Sequence, residues 1–381
     1  MPKQPARSVL CPLALVAVLS LGSPPAHAAP RADCSGTSTG MVPLADLGAG
    51  TYQGFNGGLY PGGANVPPPS HLALARSAAA AIAPRDAAGS PAAEGRVVLL
   101  SLGMSNATQE FSTFVQQARG EGSLHPRLAI VDGAQGGQTA AVIRDPAANF
   151  WTVVDQRLRA AGATAAQVQA IWLKEANARP TAAFPAHAEA MTDDLQAVIG
   201  IVHQRFANLQ LVYLASRTYA GYASTNLNPE PFAYEGAFSM RWLIERQIAG
   251  TGGLNADPAR GPVTAPVLLW GPYLWADGLT PRSDGFLWRC EDFVDDGTHP
   301  SASGRQKVAN LLMRFFKEDE TSRSWFLANA PTPTPGATAT PTRTPPPATA
   351  TPAARLWLPL SLSPPVRATS RASTPPAGRT H

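Results

Sequence analysis

The feature that most constrains this 381-residue chain is an alternation that starts near residue 95 and runs to about residue 320. Short runs rich in β-branched residues or leucine stand at 97–102, 128–131, 168–173, 209–214 and 267–270. Each is followed by a longer stretch compatible with a helix, at 107–118, 150–161, 186–206, 234–248 and 303–316. Strands that alternate with helices in this way predict an α/β fold with a five-stranded parallel sheet covered on both faces. In such open sheets chemistry gathers at the carboxyl ends of the strands.

The flanks differ in character. With 44% hydrophobic and 15% charged residues the chain can bury a full core, but 38 Pro and 33 Gly exceed what one compact domain uses, so much of the excess lies outside it. At the N-terminus Lys3 and Arg7 precede an apolar stretch ending in Ala26-His27-Ala28, which predicts a secretory signal peptide over 1–28 and a secreted or cell-surface protein. Residues 29–95, rich in Gly, Pro and Ala with a helix expected at 71–82, read as an arm packed on the domain of 96–328. A Thr/Pro-rich tract over 329–354 predicts an extended, semi-rigid linker. In the tail, 355–381, the patch RLWLPLSLSPP is shorter than the roughly 20 apolar residues a transmembrane helix needs, so no spanning segment is expected. The patch is either a surface-contact element or a segment without fixed structure.

Cys11 falls inside the segment to be removed, leaving Cys34 and Cys290, whose separation in sequence does not decide between a bond and two thiols. The net charge of +4 falls by two when Lys3 and Arg7 are lost, and no Lys/Arg cluster stands out, which argues against a nucleic-acid partner.

Four stretches can carry chemistry. In VVLLSLGMSNATQEF, Ser105 follows the first strand after Gly103; it is either a nucleophile at a sharp turn or, with Asn106 and Gln109, part of a helix cap. In FVDDGTHPSASG, Asp296 and His299 stand three residues apart, the arrangement in which a carboxylate orients an imidazole that deprotonates a serine. IVDGAQGGQTA offers the Gly137 N–H as an oxyanion donor, and IWLKEANARP the Asn177 amide, with Glu175 the alternative residue at that place. Ordinary turns and caps would also account for these last two stretches.

In this order the four stretches resemble the SGNH (GDSL-type) hydrolase superfamily. Ser105 matches its nucleophile, Gly137 its second-block glycine, Asn177 its third-block asparagine, and Asp296 with His299 its final Asp-x-x-His. GMSNA is similar to the Gly-Gln-Ser-Asn form of carbohydrate and sialate O-acetylesterases, although Met104 and Lys174 depart from it. The resemblance implies a three-layer α/β/α flavodoxin-like fold and a catalytic triad of Ser105, Asp296 and His299. It also implies an oxyanion hole from Ser105, Gly137 and Asn177. The expected activity is that of a secreted serine esterase removing short acyl groups, chiefly acetyl, from carbohydrate or related small esters through an acyl-serine intermediate. Two alternatives remain: an O-acyltransferase using the same triad, and a non-catalytic glycan-binding surface module, which Met104 and Lys174 would favour.

Tyr219, Tyr222, Tyr273 and Trp275 are candidates for a sugar subsite or for packing of long loops, and Arg217 and Arg282 for holding an acidic substituent or for solvation. His71, His125, His187 and His203 are scattered and define no metal site, and GAQGGQ lacks the Lys-Ser/Thr of a phosphate-binding loop, so no cofactor is expected.

Overall fold

The five apolar runs extend as strands β1 (Val97–Gly103), β2 (Leu128–Asp132), β3 (Val168–Lys174), β4 (Leu211–Ala215) and β5 (Val267–Trp270), all pairing in parallel in the order β2-β1-β3-β4-β5. This is a computed structural model that describes residues 31–329; the expected signal peptide, the linker beyond Asn329 and the C-terminal tail lie outside the described residues. Every residue of β1, β3, β4 and β5 is buried, whereas the edge strand β2 is mostly half-buried. Strands covered on both faces need apolar side chains at successive positions, and VVLLSLG and VQAIWLK supply them.

Six longer helices flank the sheet: α1 (Pro69–Ala80), α2 (Ser105–Arg119), α3 (Asn149–Ala160), α4 (Ala186–Arg205), α5 (Phe232–Ala249) and α6 (Ala302–Glu318). Helices α2 and α6 pack together, as do α4 and α5. Trp172 of β3 and Tyr213 of β4 are register partners and share a face. Phe111 of α2 stacks on Trp172 at 5.5 Å between ring centroids, and Phe316 of α6 meets Tyr213 edge-on at 5.6 Å. Their strand neighbours Ile171, Leu173, Val212 and Leu214 point to the opposite face, because successive side chains alternate. The result is an α/β fold with a five-stranded, all-parallel, flavodoxin-like sheet.

Element boundaries shift slightly from the sequence reading. β4 starts at Leu211 rather than 209 because the Leu209 N–H closes a turn on the Phe206 carbonyl at 2.9 Å. A hairpin of Thr51–Tyr52 with Phe55–Asn56 and three four-residue helices were not anticipated, being too short to show a period.

Residues before β1 settle the other sheet edge. Strand β5 leaves backbone groups without a strand partner, and such groups invite aggregation unless covered. Here side chains cover them: Trp270 N–H donates to Tyr60 Oη at 3.0 Å, His71 Nε2 lies 2.8 Å from the Leu268 carbonyl, and Gln247 Oε1 accepts from Leu268 N–H at 2.8 Å. Burial lowers the His71 pKa, which favours the neutral ring that donates here. Asp277 accepts from the Thr39 and Gly40 N–H groups at 2.6 and 3.0 Å, fixing the start of the described chain. Among the described residues no helix is long and apolar enough to cross a membrane.

Cys34 and Cys290 form a disulfide with Cα atoms 5.4 Å apart across 256 residues of sequence. It ties the N-terminal segment to the loop that precedes α6. Closing so long a loop restricts the unfolded chain, so replacing both cysteines by serine is expected to lower the unfolding free energy by about 2–5 kcal/mol. Denaturant titration of the double variant against the oxidised wild type checks this; equal midpoints would refute it.

Candidate active site

In a sheet ordered β2-β1-β3 the chain leaves β1 to one side and returns to the other, which opens a crevice beyond the carboxyl ends of β1 and β3. What turns the chain into that crevice is Gly103. A Cβ there would lie 2.2 Å from the Lys174 carbonyl oxygen and 2.5 Å from the Ala107 Cβ, so only glycine lets β1 approach β3 this closely before α2 begins. Met104 is the N-cap and uses no side-chain hydrogen bond, and Ser105 is the first helical residue. The capping alternative for Ser105 is therefore not what its hydroxyl does.

The Ser105 Oγ lies 2.8 Å from His299 Nε2. On the other side of the ring, Nδ1 is 2.6 Å from Asp296 Oδ2, while Asp296 Oδ1 accepts the N–H groups of His299 and Thr298 at 2.9 and 2.8 Å. With Nδ1–H given to the carboxylate, Nε2 presents a lone pair to the serine hydroxyl. Burial alone would raise the Asp296 carboxyl, but the His299 and Thr298 donors outweigh it and hold the group below the ordinary carboxylate value. The adjacent residues lock the two halves together: Asn106, buried, donates its Nδ2 to the Thr298 carbonyl at 2.9 Å. Gly297 has φ +63°, and a Cβ there would sit 1.8 Å from the Tyr222 carbonyl oxygen, so the loop lies directly on the chain after β4.

A cavity of about 400 Å³ opens over Ser105 and His299. Gly137 lines it with φ +74° and nothing within 4 Å of a notional Cβ. Its N–H takes no part in the backbone hydrogen bonds of the described residues. Ser105, at the first position of α2, carries one of the orphan N–H groups of a helix start.

No protein-family model and no curated protein matches the chain. Solved structures that it resembles include a candidate acylhydrolase from Bacteroides fragilis, at 14% identity and TM-score 0.34, covering 57% of this chain and 85% of that one. The periplasmic domain of a lipopolysaccharide acetyltransferase from Salmonella Paratyphi A matches at 13% identity and TM-score 0.32, over 58% of this chain and 84% of that one. A protein from Arabidopsis thaliana matches at 10% identity and TM-score 0.29, over 55% and 67% respectively.

Other sequence candidates fall elsewhere. The Asn177 amide is engaged away from the cavity: Nδ2 donates to Asp194 at 2.6 Å and Oδ1 accepts the Ala141 N–H at 2.9 Å. Asp194 also holds Arg144, so this cluster anchors the loop after β3 to α4. Glu175 is buried, its Oε1 without a partner among the described residues, and burial pushes its carboxyl well above the ordinary value. Lys174 does not face the cavity either. It is buried against Glu110 of α2 at 2.7 Å, where burial drives both groups toward neutrality and each one's charge opposes that drift.

The aromatic candidates pack loops. Tyr219, Tyr222, Tyr273 and Trp275 are all buried: the Tyr219 and Tyr222 hydroxyls donate to the Gly36 and Trp288 carbonyls, Tyr273 Oη accepts the Leu44 N–H, and Trp275 Nε1 donates to Glu230 Oε1. Large rings with satisfied polar ends are what long loops need to close over a core. Arg282 is paired with Asp284 and stacked over Phe286, whereas Arg217 lines the cavity. Among the described residues no group of three or more His, Cys, Asp or Glu side chains is arranged to hold a metal ion. Sequence reasoning passed over Asn106 as an anchor and Asn228 as a cavity residue. Only the position of Asn106 beside Ser105 could have signalled the first.

Two outcomes follow. Asn106→Ala leaves the buried Thr298 carbonyl unpaired and is expected to cost about 1–3 kcal/mol in denaturant unfolding, with no loss counting against this anchor. Glu230 receives the Ala220 and Tyr234 N–H groups and Trp275 Nε1, yet burial raises its carboxyl from 4.5 to about 7. Between those values the folded chain keeps a proton that the unfolded chain has lost, so this contribution to stability is complete below pH 4.5 and disappears as pH rises through about 7. The melting temperature of the wild type should fall over that window relative to Glu230→Gln, and parallel profiles would count against it.

Proposed function

We propose that the chain is a serine esterase that removes short acyl groups, acetyl above all, from small hydroxylic molecules through an acyl-serine intermediate. The observation that carries this reading is the continuous hydrogen-bonded relay from Ser105 through His299 to Asp296 at the mouth of a cavity. His299 Nε2 takes the Ser105 proton as Oγ bonds to the ester carbonyl carbon. The oxyanion that forms is held by the N–H groups of Ser105 and Gly137, and His299 then gives its proton to the departing alkoxide. Water repeats the cycle on the acyl-serine and frees the carboxylic acid. Asn177, committed to Asp194 and Ala141, has no part in this scheme.

Lys174, one of the two departures from the family pattern, is buried against Glu110 and does not line the cavity. The disulfide supports placement in an oxidising compartment, in keeping with the expected secretion. The same reading takes carbohydrate as the alcohol partner, the Gly-Gln-Ser-Asn form as the nearest kin, and a surface contact as the role of the C-terminal tail.

Ser105→Ala is expected to abolish labelling by a fluorophosphonate and to lower kcat on acetyl esters by roughly 10⁴–10⁶-fold, with little change in melting temperature because the hydroxyl caps nothing. His299→Ala should suppress both as well. Retained turnover in Ser105→Ala would overturn the reading. Product analysis in the presence of free sugar separates hydrolysis from acyl transfer.

A further inference from the structure

Within the cavity over Ser105 one side chain has no use in the relay. Arg217, two residues after β4, is 3% exposed and its Nε has no hydrogen-bond partner among the described residues. The other buried cations are matched: Lys174 by Glu110, Arg282 by Asp284, and Arg241 by Glu245. Arg217 takes part in no ion pair among the described residues. Burial pulls its guanidinium down from the ordinary value, and only the more distant charges of Glu110, Glu230 and Asp296 favour the cation. A buried cation without a contact partner is costly, and that cost disappears when an anion arrives.

The surroundings point the same way. Arg179 also lines the cavity, and no Asp or Glu does, so its walls carry two cations without a facing carboxylate. Asn228 lines it too, buried, with Nδ2 donated to the Asn177 carbonyl and Oδ1 left without a partner. That oxygen can accept only from a donor, such as a hydroxyl. A volume of about 400 Å³ is within the range of small-ligand sites and suits a single sugar-sized molecule.

Building on the esterase reading, we infer that Arg217 is a specificity-determining residue that receives an anionic substituent, a carboxylate or a phosphate, on a small hydroxylated substrate whose ester is presented to Ser105. Arg179 reinforces the field at the rim, and Asn228 takes a hydroxyl. The substrate class is therefore acylated acidic molecules rather than neutral ones.

The test uses the full chain. Wild type, Arg217→Gln and Arg217→Lys are titrated calorimetrically with D-glucuronate, D-glucose 6-phosphate and D-glucose. At least one anion should bind wild type about 10- to 100-fold more tightly than glucose, and the margin should vanish in Arg217→Gln and survive in part in Arg217→Lys. Which anion binds identifies the substituent. In parallel, wild type is assayed on acetylated glucuronate and on the methyl ester of the same compound, which removes the charge and keeps the shape. A preference for the charged form, weakened by salt, supports the inference even where Arg217→Gln fails to fold. Equal binding of anions and glucose by wild type overturns it, as does an anion preference unchanged in folded Arg217→Gln. Turnover of both esters without preference removes this inference and leaves the esterase reading. Arg217-dependent anion binding without turnover of any ester does the reverse.

Discussion

The close approach of Gly103 to the Lys174 carbonyl is the constraint on which the rest of the site depends. β1 and β3 are neighbours on the two sides of the point where the chain order reverses, and their carboxyl ends must nearly touch for α2 to start directly over the crevice. A side chain at position 103 would separate them. With hydrogen there, Met104 turns the backbone, Ser105 becomes the first helical residue, and its hydroxyl stands where two chain segments from distant parts of the sequence can reach it.

Much of the sheet was legible because burial on both faces leaves a simple mark. Runs such as VVLLSLG and VQAIWLK are apolar at successive positions, and each appears as a fully buried strand. The strand order was not legible from such runs, since pairing partners leave no periodicity in a single chain. Nor was the treatment of the β5 edge, where Tyr60, from a Gly/Pro-rich stretch, and His71, in the first turn of α1, supply single hydrogen bonds. The candidate site shows the same division. Asp296 and His299 could be read together because three residues separate them and one loop carries both. Asn177 was misjudged because its partners, Asp194 and Ala141, come from other elements, and nothing near Asn177 in sequence announces them. The aromatic loops stayed open between two readings for a related reason: composition cannot tell a ring facing a ligand from one closing a core.

The electrostatics of the crevice follow from where the charges are matched. Lys174 and Glu110 face each other beneath the start of α2, so two buried charges cancel within a contact. Removing one partner of such a pair would strand the other, which makes the pair a poor source of net stability but a strong constraint on arrangement. Asp296 is matched by His299 and by two backbone donors. Arg217, buried in the cavity wall, takes part in no ion pair among the described residues, and its Nε has no hydrogen-bond partner among them.

The spacing of nucleophile and base has a local cause. Val294 N–H donates to the His299 carbonyl at 2.9 Å, and Asp296 ties the N–H groups of Thr298 and His299, so the loop from 294 to 299 is internally braced. Once Asp296 and His299 are fixed relative to each other, one distance is left to set, that from the ring to Ser105. Asn106 follows Ser105 and Thr298 precedes His299, and the single bond between Asn106 Nδ2 and the Thr298 carbonyl joins the two segments one residue away from the reacting atoms. A tether so near the contact it governs leaves little lever arm for error. A hydrogen bond of 2.8 Å between groups that are 194 residues apart can then be held by the fold before any substrate binds.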